Sequence, residues 1–167
     1  NISGTNTSTV VSSNDTAVID GFTITAGDGE DAGGIAGGGA FRHCVIQGNL
    51  GLKAGGVSAG DGISVLTLTE CAILANRGKQ MGGVNASHID GFEMTSCRVQ
   101  GNTATGSSLR SAGGVYLGYG ESSISNCVIT GNVGHFYGGV HMAGSGTLNV
   151  LNSTVASNYA VGSSSSE

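Results

Sequence analysis

Four cysteines, Cys44, Cys71, Cys97 and Cys127, recur at near-constant intervals and are the first candidates for chemistry. Thiols so placed can form disulfides, ligate a metal, or fill a core as small hydrophobes. A second set is aromatic. Tyr116 and His141 each follow the valine of a Gly-Gly-Val triplet, while His135 and Tyr137 stand just before Gly138. Exposed rings of this kind stack on sugars or on a partner chain; the plainer alternative is that they cover a turn. A third set is the acidic run Asp28, Glu30 and Asp31 inside GDGEDAGG. Its hard oxygens on a glycine-rich loop suit Ca2+, but the full D-x-[DN]-x-[DN]-G loop is missing. A solvated acidic turn is the competing reading. Other acids sit in turns at unrelated phases, and Asp20 and Asp90 each open an Asp-Gly-Phe turn signature. No Ser-His-Asp or Cys-His arrangement emerges. The expectation is no catalytic residue and no cofactor, with Ca2+ the one ion the acidic run would suit.

The elements that must position these residues come from a repeat, which is the first thing to seek in any chain. Five glycine pairs each precede a β-branched residue, at Gly33, Gly55, Gly82, Gly113 and Gly138. A second motif reads CVIQGN, CAILAN, CRVQGN, CVITGN and STVASN, ending at Asn49, Asn76, Asn102, Asn132 and Asn158. The Asn-to-Asn spacings are 27, 26, 30 and 26, and FTITAG at residues 22–27 is a degenerate sixth copy. Two residues after the Cys position stand Ile24, Ile46, Ile73, Val99, Ile129 and Val155. Three residues before it stand Ile19, Phe41, Leu68, Met94, Ile124 and Val150. Offsets of −3 and 0 cannot share a face on one straight strand, because side chains alternate with period two. A polar corner between them resolves this. Each repeat then holds a strand, a corner, a second strand ending in Asn, a glycine-rich turn and a third short strand at the valine.

That pattern is one coil of a right-handed single-stranded parallel β-helix, an all-β solenoid of about six coils. Stacking in register predicts ladders of Cys44, Cys71, Cys97 and Cys127 and of Asn49, Asn76, Asn102, Asn132 and Asn158. In-register thiols lie about 4.8 Å apart with parallel Cβ vectors, a poor geometry for disulfides. Buried free thiols are therefore expected ahead of disulfides or a metal ladder. Asn is expected at the corner because it tolerates the left-handed conformation. Residues 1–16 read as a lead-in or partial coil, 17–158 as the repeats, and 159–167 as a Ser-rich tail.

Composition agrees. Thirty-two glycines without proline, 10% charged residues and a mean hydropathy of +0.13 describe neither a helical protein, nor collagen, nor a disordered chain. A pI near 5.2 with six basic residues argues against nucleic acid as a partner. No apolar run is long enough for a membrane-spanning helix. The chain opens at Asn1 without a visible signal peptide and reads as a processed product or a segment of something longer.

The pairing of GG[V/I] with [I/V]xxN resembles the repeat of chlamydial polymorphic outer-membrane proteins, written GGA[I/V/L] and FxxN, over roughly residues 17–158. It departs in having Val or Ile for Phe, and Val directly after the glycine pair. The resemblance implies a secreted or cell-surface rod of adhesive or structural kind. The outward positions of the Cys strand carry one charge, Arg98, among twelve, which suits lateral packing. The leading expectation is thus a non-enzymatic surface module, a filament subunit or adhesin-like passenger, that self-associates or contacts a host surface. The alternative is a carbohydrate-binding or polysaccharide-degrading domain. Its mark would be acids meeting Tyr116 and His141 on one surface.

Overall fold

The computed structural model describes residues 2–3 and 8–162, and within them the chain is all β. Residues 1 and 4–7 of the expected lead-in and residues 163–167 of the expected Ser-rich tail lie outside the described residues. Every strand pairing is parallel, and strands of successive coils pair in register to build four sheets along one axis. Three sheets hold six strands and the fourth holds seven. One coil runs through Gly39–Arg42, Val45–Gln47, Leu50–Gly51 and Val57–Ala59. The next begins at Val65–Thr69. The expected β-solenoid of about six coils is what forms. The difference is a fourth strand per coil, two residues long, just after the Asn. Within the presumed glycine turn, Leu50 pairs with Arg77 and Arg77 with Thr103. Val11 pairs with Ile35, within the stretch read as a lead-in or partial coil, and pairing runs on past residue 158, since Ala160 pairs with Gly134. Among the described residues no helix is long and apolar enough to cross a membrane.

Each coil is bent by two residues in the left-handed region. One precedes the Cys position: Gly21, His43, Glu70, Ser96, Asn126 and Asn152. The other precedes the Asn position: Ala26, Gly48, Ala75, Gly101, Gly131 and Ser157. Asn49, Asn76, Asn102 and Asn132 themselves do not take this conformation, so the conformational reason expected for them is wrong. They point inward instead and are fully or almost fully buried. Their amides form a ladder. Asn102 Oδ1 accepts from the backbone N–H of Asn76 at 3.0 Å and from its Nδ2 at 3.0 Å. Asn102 Nδ2 donates to the Ile73 carbonyl at 2.9 Å and to Asn132 Oδ1 at 2.9 Å. The same four-way pattern links Asn49 to Asn76 and Asn132 to Asn158.

The glycine pairs follow from this ladder. A Cβ on Gly56 would lie 2.5 Å from the Gly83 carbonyl and 3.2 Å from Asn76 Nδ2. A Cβ on Gly55 would lie 2.5 Å from the Arg77 backbone nitrogen. The pair lets the valine strand close against the Asn strand across a thin cross-section. Inside sit Ile24, Ile46, Ile73, Val99 and Ile129 from one wall and Val57, Val84 and Val115 from another.

The cysteines are free and buried as expected. They are also polar rungs. The backbone N–H of Cys71 donates to Cys97 Sγ at 3.3 Å, and that of Cys97 to Cys127 Sγ at 3.3 Å. Ser153 continues the column, accepting from the Cys127 N–H at 3.0 Å. Hydrogen bonding to neighbouring thiols, and then burial, pushes the Cys44 and Cys97 thiols far above the ordinary range.

Two substitutions test the corner. Asn102→Ala orphans the buried donors of Asn76 and should cost at least about 3 kcal/mol, read as a lowered urea midpoint. Ala75→Gly relieves a φ of 50° and should gain about 0.5–1 kcal/mol by the same measurement.

Candidate functional site

Residues that follow the valine-sheet core positions point away from the interior. In register they form one outward column: Ser12, Ala36, Ser58, Asn85, Tyr116 and His141. Five steps of about 4.8 Å make it about 24 Å long. This column is the floor of a groove along the rod. One wall comes from the turns leading out of the valine strands, including Gly60, Asp61, Ser87, His88 and Tyr119. The other comes from the turns leading in, including Asp31, Lys53, Gln80, Arg110 and Tyr137. Two adjoining depressions of about 570 and 340 Å3 occupy it, and both are lined by Ser87, His88 and Arg110.

The smaller depression is aromatic. Tyr137 and His141 stack at a centroid distance of 3.5 Å with planes 10° apart. Tyr116 lies 5.3 Å from His141, and Tyr119 lines the far side, 6.0 Å from His88. Tyr116 is buried in a small apolar cluster with Ala54, Met81 and Ala112, so it does cover a turn, as the plainer reading had it. Tyr137 and His141 stay half-buried and face the depression. Burial lowers the His141 pKa below the usual histidine value, so its ring is neutral at pH 7. Burial likewise raises the Tyr116 phenol, against the pull of the Arg110 charge. His135 does not join this patch. It packs edge-on against Phe136 at 4.8 Å, outside the groove lining.

The larger depression is polar. Asn85 Nδ2 donates to Ser58 Oγ at 3.0 Å. Asn85 is 5% exposed, and its Oδ1 has no hydrogen-bond partner. Turning the amide over merely exchanges which of its two polar atoms is orphaned. Lys53 Nζ meets Asp31 at 2.6 Å, and that contact raises the Lys53 pKa. Asp61 lies 3.8 Å from His88. Of the acidic run expected to suit Ca2+, Asp31 alone reaches the groove and is spent on Lys53. Among the described residues no three metal-ligating side chains converge.

Asp31 and Asp61 line the larger depression and Tyr116 and His141 the smaller, so no carboxylate lines the depression that holds the rings. Sequence reading picked out Tyr116 and His141 but missed Asn85, although Asn85 follows a Gly-Gly-Val triplet just as they do. It also missed an insertion. Ten residues (103–112) separate Asn102 from Gly113, against five (50–54, 77–81, 133–137) in other coils. The signal was the 30-residue spacing. The extra residues carry Leu109 and Arg110 into the groove wall.

A second polar cluster lies on the opposite corner column. His43 Nδ1 meets Asp20 at 2.7 Å and its Nε2 lies 3.5 Å from Glu70. All three are more than half exposed, so this is a surface network of small energetic weight.

Comparison with family models, with curated proteins and with solved structures returns no match.

The His43 cluster has a measurable consequence. Hydrogen bonding to Asp20 raises the His43 pKa above its ordinary value. Its stabilising contribution is complete below the unfolded pKa and is lost as pH rises through the folded one. An NMR titration should place the His43 midpoint above that of the same ring in an Asp20→Asn variant. Equal midpoints would refute the pairing.

Proposed function

We propose that the chain is a carbohydrate-binding β-solenoid module that holds an extended saccharide in the groove over the valine sheet. The observation that carries this reading is Asn85. A buried amide with one unpartnered polar atom costs stability, about 1–3 kcal/mol. Asn85 lines the floor of the groove, and in this reading a ligand hydroxyl completes it. The stacked Tyr137–His141 pair beside it offers a flat neutral surface suited to the apolar face of a sugar ring. Ser12, Ser58, Gln80 and Ser87 add hydroxyl and amide partners along the same track.

Binding rather than cleavage fits the acids. Glycoside hydrolysis needs two carboxylates set across the scissile bond, and here Asp31 is engaged by Lys53 while Asp61 faces His88. The cell-surface setting belongs to the same proposal and rests on the resemblance to the outer-membrane repeat. A rod that also packs laterally through its charge-poor face, where Val128 is exposed beside Thr154, would display such grooves in an array.

The test uses the whole chain on a broad glycan array, followed by calorimetry on the best oligosaccharide. Tyr137→Ala should weaken binding roughly three- to tenfold. Asn85→Leu should abolish or greatly weaken binding while holding or raising the melting temperature, since it removes an orphaned polar atom. A blank array, or unchanged affinity in Asn85→Leu, would overturn the reading.

A further inference from the structure

The insertion in the fourth full coil lengthens the turn leading into the valine strand there, and that turn borders the groove. In a solenoid, insertions that map to one face mark the face that binds. The loop is anchored at both feet. Thr105 and Gly106 donate backbone bonds to Gly78 and Lys79, and Ala112 donates to Gln80. Ser111 is fully buried, and its carbonyl accepts from the Phe136 and Tyr137 N–H groups. Its hydroxyl accepts from the His135 N–H at 3.0 Å. Between these feet, residues 107–110 project, with Leu109 and Arg110 exposed. The loop is therefore tied to the same turn that sets Tyr137 in its stack.

Arg110 lines both depressions and so stands at their junction. Among the described residues the ion pairs of the groove join Lys53 to Asp31 and His88 to Asp61, and no carboxylate pairs with Arg110. An unpaired guanidinium beside an aromatic platform is suited to a planar carboxylate held bidentately. The polar depression argues the other way for charge, because Asp31 and Asp61 would repel a second anion there.

The geometry points to an acidic saccharide of mixed sequence, with one carboxylate-bearing sugar at Arg110 and neutral sugars on either side. This rests on the carbohydrate reading and sharpens it: Arg110 is a specificity residue supplied by the inserted loop. A polyanion with a charge on every sugar would fit poorly, and a wholly neutral chain would leave Arg110 unused.

The experiment compares three oligosaccharides of equal length on the intact chain by calorimetry: one alternating uronate with N-acetylhexosamine, one of uronate alone, and one of N-acetylhexosamine alone. The alternating chain should bind at least tenfold more tightly than either of the others, and its affinity should fall with added salt. Arg110→Ala should remove that advantage, bringing affinity for the alternating chain down to the level of the neutral chain, and Arg110→Lys should restore part of it. Equal affinity for the neutral and alternating chains, or tightest binding of uronate alone, would overturn the specificity claim and leave the carbohydrate reading standing. Binding of none of the three, together with a blank array, would remove both.

Discussion

The structure depends on one interaction, the amide of an inward-facing asparagine repeated at the same point of each coil. A parallel solenoid leaves backbone groups unpaired wherever the chain turns, and a turn packed against the interior has no water to satisfy them. Asn76, Asn102 and Asn132 solve that problem four bonds at a time. Each amide accepts from the turn of the preceding coil and donates back to it, and the next amide repeats the arrangement. The glycine pairs, the thin cross-section and the in-register valines all follow, because the opposite wall must come close enough to cover the ladder. The thiol column plays a lesser version of the same part at the other corner, and Ser153 shows that what the position needs is an acceptor.

Periodicity made much of this readable before any coordinates. The apolar residues at fixed offsets from Cys and the polar pair between them placed the strands and the corner where they are found. Like residues stack, and the thiols are free and buried. The reasoning failed where it treated asparagine as a conformational residue. The left-handed residue is its predecessor, where glycine alternates with Ala75 and Ser157. Type alone cannot separate an amide chosen for its backbone from one chosen for its side chain. The two-residue strand at Leu50–Gly51 was missed because so short a strand carries no alternation to detect.

The groove was harder to read for a different reason. Inward positions repeat because each coil solves the same packing problem, whereas outward positions are free to differ. Ser58, Asn85, Tyr116 and His141 share a column but no chemistry. Tyr116 and His141 stood out as aromatic; Asn85 did not, in a chain full of asparagine. The walls come from turns far apart in sequence, so the meeting of Asp31, Asp61 and Arg110 around Ser58 and Asn85 needed the stacking itself. The inserted residues were visible as a long spacing, but the side of the rod on which they fall was not.

The asparagine ladder has one more property. In each rung the side-chain oxygen faces the preceding coil, and from Asn49 to Asn132 a side-chain hydrogen faces the oxygen of the following one. The amide dipoles of Asn49, Asn76, Asn102, Asn132 and Asn158 thus run head to tail. Aligned amides in a dry interior polarise one another. The rod consequently has an electrical sense as well as a chain direction, much as an α-helix does, though here the field is carried by side chains and grows with each added coil.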